Sequence, residues 1–276
     1  MAKTRVLITA KTYPTISGKY DELVCTAGFL EDGSWIRIYP IPFRKKSYNE
    51  QYSKYDWVEI DLVKNKSDFR PESYRPYSYD SEIKIIGKLD TKNYWAERKK
   101  FALNNVHTNL ASLIKDAHNK KICTSLAVFK PSKIIDFIAV EVERKWDKKK
   151  IDQLKANRDQ TNLFEHPEDP FEVVQKLPYK FSFIFEDDEG KQSKLMIEDW
   201  ETGQLYWNCL AKHEGNEKKA IDDVKYKYFE DFAKTKDLHF FLGTTALHHY
   251  VSNNPFMIIG TFHPKIESQY SLALDF

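Results

Sequence analysis

Apolar and polar side chains alternate from Thr4 to Thr12 (TRVLITAKT), which is the two-residue period of a half-buried strand. Tyr13-Pro14 ends that strand and Ser17-Gly18 marks a turn. Leu23 to Arg44 (LVCTAGFLEDGSWIRIYPIPFR) then predicts a β-hairpin: Val24, Thr26 and Trp35 to Tyr39 favour strand, and Asp32-Gly33 between them supplies the turn. Successive side chains on a strand point to opposite faces. Ile36 and Ile38 therefore share one face, the apolar one, and Trp35, Arg37 and Tyr39 share the other. Pro40 and Pro42 each remove a ladder donor, so the strand ends there and Arg44-Lys45-Lys46 goes to the surface. Tyr55 to Lys64 and Glu82 to Leu89 resume the alternation, with SDFRPESYRPYSYDSE expected as a loop between them. Short strands separated by turn signals predict a small barrel or strongly curved sheet.

The pattern then changes. Asn93 to Asn119 places Trp95, Phe101, Leu103, Val106, Leu110, Leu113 and Ile114 at helical spacing, with Thr91 as cap and a break near His107. Two strand-like runs follow within Thr124–Glu143, then the basic run Arg144–Lys150 (RKWDKKK), then a helix over Ile151–Arg158. Gln160 to Pro178 carries three prolines and a group of acids and is the expected linker. Beyond it, Tyr179–Phe185 and Lys191–Ile197 flank an acidic turn ending in Gly190, a second hairpin. Leu205–His213 and Ala220–Ala233 are expected as helices, and Leu238–Leu242 and Phe256–Phe262 as strands. The predicted fold is α+β: a barrel-like β-rich unit with a helical insertion over residues 1–160, a smaller hairpin-and-helices unit over 179–264, and a tail at 265–276.

Composition narrows this in three ways. With 41% hydrophobic and 30% charged residues the 276-residue chain is globular in character, and no apolar run approaches the roughly 20 residues of a membrane span. The start of the chain lacks a signal peptide's apolar core, and three widely spaced cysteines (Cys25, Cys123, Cys209) suit free thiols in a reducing cytoplasm. The net charge of +2 conceals an asymmetry: residues 1–150 carry 29 Lys/Arg against 19 Asp/Glu, and residues 151–276 carry 14 against 22. Such a split suggests a polyanionic partner for the first half, or two halves that neutralise each other.

Rings interleaved with cations in the basic half are the leading chemical feature. Trp35, Arg37 and Tyr39 on one strand face, Arg44 and Lys45 after it, and Arg70, Tyr74 and Arg75 in the loop form a candidate surface for DNA or RNA. Bases stack on rings and cations follow phosphates. A cross-strand packing ladder would need the same residues. A second candidate is Asp237 with His239 on a strand face, followed by Gly243-Thr244-Thr245, His248 and His249: a carboxylate beside an imidazole could serve an enzyme acting on a nucleotide or phosphoester. No CxxC or HExxH spacing is present, and no metal or cofactor is expected.

The carboxyl end, with Gln269, Leu272, Leu274 and Phe276, resembles the Gln-x-x-Leu-x-Leu/Phe peptides by which bacterial replication and repair proteins dock on the sliding clamp. Gln160 to Phe164 matches a shorter form of that peptide. Through the segments DGSWIRIYPIPFR, KYDWVEIDLVKNKSDFRPESYRP and DLHFFLGTT the chain resembles an uncharacterised family of bacterial proteins of similar length. That resemblance implies a bacterial cytoplasmic origin and no particular activity.

Overall fold

The first of three sheets runs in the order β6-β7-β4-β3-β1-β5-β8, with β2 also on β3. Its strands are β1 (Thr4–Lys11), β2 (Thr15–Ile16), β3 (Glu22–Phe29), β4 (Trp35–Ile41), β5 (Asp56–Ile60), β6 (Leu62–Lys64), β7 (Ser73–Pro76) and β8 (Ile83–Lys88). The computed structural model describes residues 3–16, 22–161 and 173–267. This sheet curls into a half-barrel within a mixed α+β architecture, as the alternating strands predict. The hairpin forms over Asp32-Gly33, Gly33 taking the left-handed φ of 81° that the turn requires. The stretch expected as a loop contains β7, which inserts between β4 and β6 and pairs parallel with the former. Pro76 can end a strand, so the prolines around β7 mask a short ladder without preventing it.

Helices α1 (Lys92–Ala102) and α2 (Leu110–His118) flank β9 (Val106–His107), and the break falls where the periodicity placed it. Asn109 caps α2 by accepting the Ser112 N–H at 2.8 Å. The second sheet has the order β15-β14-β10-β9, with β10 (Leu126–Phe129), β14 (His239–Thr244) and β15 (Phe256–Phe262). The third joins β11 (Lys133–Glu141), β12 (Tyr179–Glu186) and β13 (Gln192–Met196). Helix α3 (Lys148–Thr161) follows β11, and α4 (Trp200–Lys212) and α5 (Glu217–Lys225) follow β13, the last continuing as a π-helix over Tyr226–Ala233. Strands on either side of residues 160–178 share sheets: β10 pairs β14 and β11 pairs β12.

Side-chain parity assigns three apolar layers. Val6, Ile8, Ile36, Ile38, Val58 and Ile60 fill the concave side of the half-barrel. Their neighbours in sequence, Leu7, Trp35 and Trp57, point the other way and meet Val128, Phe241, Ile259 and Phe262 of the second sheet. The opposite side of that second sheet, through Phe129, Phe240 and Leu242, packs on Phe181, Phe183 and Phe185 of the third. The middle sheet is therefore covered on both faces, which explains why all of β10 and β14 is buried.

Gly28 is where the curled sheet is tightest. It pairs with Ile8 beside a register shift in β1, and a Cβ at this position would stand 2.3 Å from the Leu7 carbonyl oxygen. Backbone cannot yield as a side chain can, so Gly28→Ala should destabilise the fold by about 3 kcal/mol, the upper end of overpacking costs. Urea denaturation measures it; an unchanged midpoint would mean that β1 and β3 do not approach this closely.

Candidate nucleic-acid interface

The residues expected on an outward Arg/aromatic face divide into two groups. Trp35 packs 4.1 Å from Phe29 and edge-on to Phe241, so its ring belongs to the layer between the first and second sheets. Arg37 shares that face and is only 3% exposed. Its Nη2 donates to the carbonyl and hydroxyl oxygens of Ser125, both at 3.0 Å, while Nε lies 3.5 Å from the Glu72 carboxylate. Ser125 in turn donates to Glu72. Arg70, 6% exposed, is clasped by Asp68 at 2.9 and 2.5 Å and donates to the Thr244 carbonyl. Arg37 turns inward because the strand face that carries it is roofed by the second sheet, and Arg70 reaches the same sheet from the bend before β7. Tyr39 and Tyr74 are half-buried, the latter under the Lys64 ammonium, and Arg44, Lys45 and Arg75 are exposed. Arg44 pairs with Glu22 at 2.7 Å, and Arg75 donates to the backbone of Pro76 and Tyr77.

Asp237 and His239 do come together, 4.0 Å apart. The carboxylate is bound to Lys130, and His239 is buried with Nδ1 on the Asp237 carbonyl at 3.1 Å, burial lowering its pKa. His249 is fully buried, its Nδ1 2.8 Å from Thr244 Oγ1 and its Nε2 2.8 Å from the Ala117 carbonyl. Gln269, Leu272, Leu274 and Phe276 lie outside the described residues. Among the described residues no group of His, Cys, Asp and Glu is placed to hold a metal ion, and the three cysteines are free.

Rings and cations converge instead on two adjoining clefts. The larger, 770 Å³, is lined by Tyr13, Phe43, Arg44, Gln51, Trp200, Gln204 and Trp207. The smaller, 600 Å³, is lined by Arg144, Lys145, Trp146, Lys148, Ile151, Lys176, Trp207 and Glu217. Trp207 and the segment Val173–Gln175 line both, so that segment divides a single trough. The divider is pinned from three sides. Trp146 Nε1 donates to the Val174 carbonyl at 2.7 Å, Tyr13 Oη to the Gln175 carbonyl at 2.8 Å, and the Val174 N–H to Glu22. Tyr13 is itself held by the Trp207 indole N–H at 2.8 Å.

Sequence causes these placements. Asp199 caps α4, so Trp200 and Trp207, seven residues apart, fall on one helix face. That spacing, and the tryptophan inside RKWDKKK, are the signals by which the trough could have been found in the chain alone. Beneath the larger cleft Lys11 is caged by Phe43 at 4.0 Å and Trp200 at 4.9 Å and donates to the Tyr52 carbonyl at 3.1 Å; burial pushes its pKa down to about 8. In the smaller cleft four cations face one carboxylate, Glu217, which hydrogen bonds from Arg144 and then Tyr179 hold at about 2. The balance favours an anion.

Residues 2–104 match the family described as domain of unknown function DUF8758, and residues 106–275 that described as domain of unknown function DUF8757. No curated protein matches the chain. A solved structure of a murine DNA-binding protein bound with double-stranded DNA aligns over 97% of this chain and 98% of its own. Its identity is 10% and its TM-score 0.32, a likeness too slight to bear on fold or activity.

Two outcomes follow from the buried arginines. Arg37→Ala would leave the half-buried Glu72 without its cation and the pocket of the guanidinium empty, and should cost about 3 kcal/mol in chemical denaturation; an exposed, ligand-facing arginine would cost almost nothing. Burial works against the Asp68 carboxylate, but hydrogen bonds from Arg70 and Ser73 outweigh it and hold the pKa at about 2 against an ordinary 3.8. Its stabilisation, about 2 kcal/mol, is therefore complete above the unfolded value and lost as pH falls toward 2. Asp68→Asn should flatten the stability profile in that acid window, and a variant with the parent's acid limb would refute the assignment.

Proposed function

For a chain that belongs to the family described as domain of unknown function DUF8757, with a DUF8758 segment ahead of it, we propose binding of single-stranded nucleic acid along the divided trough. The observation that carries this is the junction of Trp146 and Trp207 with Arg144, Lys145, Lys148 and Lys176 in one cleft. Ring faces accept bases of any sequence, and the cations beside them suit the phosphates between successive bases. Arg44, at the far end of the trough, continues the same chemistry with the rings of Tyr13, Phe43 and Trp200.

Local electrostatics supports the choice. Helix α3 opens with Lys148, Lys149 and Lys150 and has no acid in its first turn, although that end of a helix already carries partial positive charge. Asp147 offsets part of this by accepting the Lys150 N–H at 3.2 Å. Like charges gathered against the dipole are unfavourable locally, and such violations of a local rule cluster where function requires them. A phosphate chain would relieve the repulsion.

Fluorescence anisotropy with labelled oligo(dT) and oligo(rU), over a range of salt, tests the reading. The logarithm of the affinity should fall linearly with log salt, with a slope of about 0.7 per phosphate neutralised. The Lys145→Ala/Lys148→Ala pair should reduce that slope by about 1.4. Trp146→Ala should cost about 1–3 kcal/mol in affinity and leave the slope unchanged. Equal binding by all three proteins, or no binding at low salt, would remove the proposal.

A further inference from the structure

A separate cavity of 340 Å³ opens between the β3–β4 turn and the residues that follow α1. Its floor is apolar, made of Phe29, Trp35, Phe101 and Val128, and its rim is polar, made of Asp32, Ser34, Asn104 and Asn105. The floor is rigid: Phe29 lies 4.1 Å from Trp35 and 6.2 Å from Phe101, and Trp35 is wedged edge-on against Phe241. The rim is built as well. Asp32 Oδ1 accepts the Ser34 N–H at 2.9 Å and the Ser34 hydroxyl at 2.6 Å, which fixes the turn and leaves Oδ2 as an acceptor. Asn104 Nδ2 lies 3.5 Å from where a Cβ on Gly33 would stand, so its amide reaches over the glycine into the mouth.

We infer that this cavity takes a single guanine base, as the nucleoside or as an unpaired base whose phosphates remain outside. Trp35 and Phe101, the part-exposed members of the floor, supply apolar contact for a fused ring. A carboxylate oxygen is the natural acceptor for the adjacent N1–H and N2–H₂ donors of guanine, and a carboxamide N–H donates to its O6 or N7 acceptors. Adenine presents an acceptor at N1 where guanine presents a donor, and would set a lone pair against the carboxylate. Among the described residues no Lys or Arg lines the cavity, and Asp32 is an acid, so a phosphate gains nothing here. Three surface features thus agree on one edge pattern: the acid, the amides and the absent cation. The site is distinct from the trough and does not depend on it.

Titration of ¹⁵N-labelled protein with guanosine, inosine and adenosine, followed at the tryptophan indole N–H resonances, tests the inference. Trp35→Phe assigns the Trp35 signal. Guanosine should shift that signal, and inosine, which lacks the 2-amino donor, should bind about tenfold more weakly, with adenosine weaker still. Asp32→Asn keeps the Oδ1 acceptor for the turn and removes the charge, so it should erase the preference for guanosine while thermal unfolding stays unchanged. Trp146→Ala should leave the guanosine-induced shift of the Trp35 signal intact, which separates this site from the trough. No movement of the Trp35 resonance at millimolar guanosine, equal binding of guanosine and inosine, or a preference retained in Asp32→Asn would each overturn it.

Discussion

Two inward-turned guanidinium groups join the first sheet to the second. Arg37 ends on Glu72 and on Ser125, the residue immediately before β10, and Arg70 ends on Asp68 and the carbonyl of Thr244, at the end of β14. A buried charge costs several kcal/mol unless it is paired and hydrogen-bonded, so the positions of β10 and β14 against the half-barrel are constrained to those that satisfy both arginines. The apolar layer beside them, from Leu7 and Trp35 to Phe241 and Phe262, could tolerate small slips on its own. The arginine contacts are directional, and they select one register.

Much of this architecture was legible in the chain. The alternation in Thr4–Thr12 and the Asp32-Gly33 turn located β1, β3 and β4, and the helical spacing around Leu110 and Leu113 located α2 with the break before it. Parity on β4 correctly divided Ile36 and Ile38 from Trp35 and Arg37. What parity cannot supply is whether the second face meets water or another sheet. Trp35 and Arg37 are as suitable for a buried roof as for an open groove, and the roof is formed by residues almost a hundred positions and more downstream, from Ser125 to Phe262. The β7 ladder was hidden for a related reason: its two parallel bridges to β4 come from a long-range pairing that leaves no local periodicity.

The trough proposed as an interface pairs rings with cations, the pairing sought in the sequence, at other residues. The half-barrel spends Arg37 and Arg70 on itself. The cations at the trough are Arg44 and those of RKWDKKK, which precede residues 160–178, and Lys176 within that stretch. Their partners in stacking, Trp200 and Trp207, are brought to them by the helix that Asp199 begins. Asp199 is also the anchor of Lys54, 2.8 Å away, in an ion cluster completed by Glu201 at 2.9 Å from the same ammonium. The floor of the trough is therefore tied to the half-barrel through buried charge as well as through packing.

The doubly covered middle sheet has a consequence for how the gene product can be dissected. Residues 106–275 belong to one described family and residues 2–104 match another, yet much of the wall of Leu7, Phe29, Trp35 and Trp57 is covered by β10, β14 and β15, with Phe101 of α1 packing beside them. Expressed alone, the leading segment would turn the part of that wall left uncovered by α1 to solvent and be prone to associate with copies of itself. The boundary between the two matched segments falls between α1 and β9, and the apolar layer crosses it.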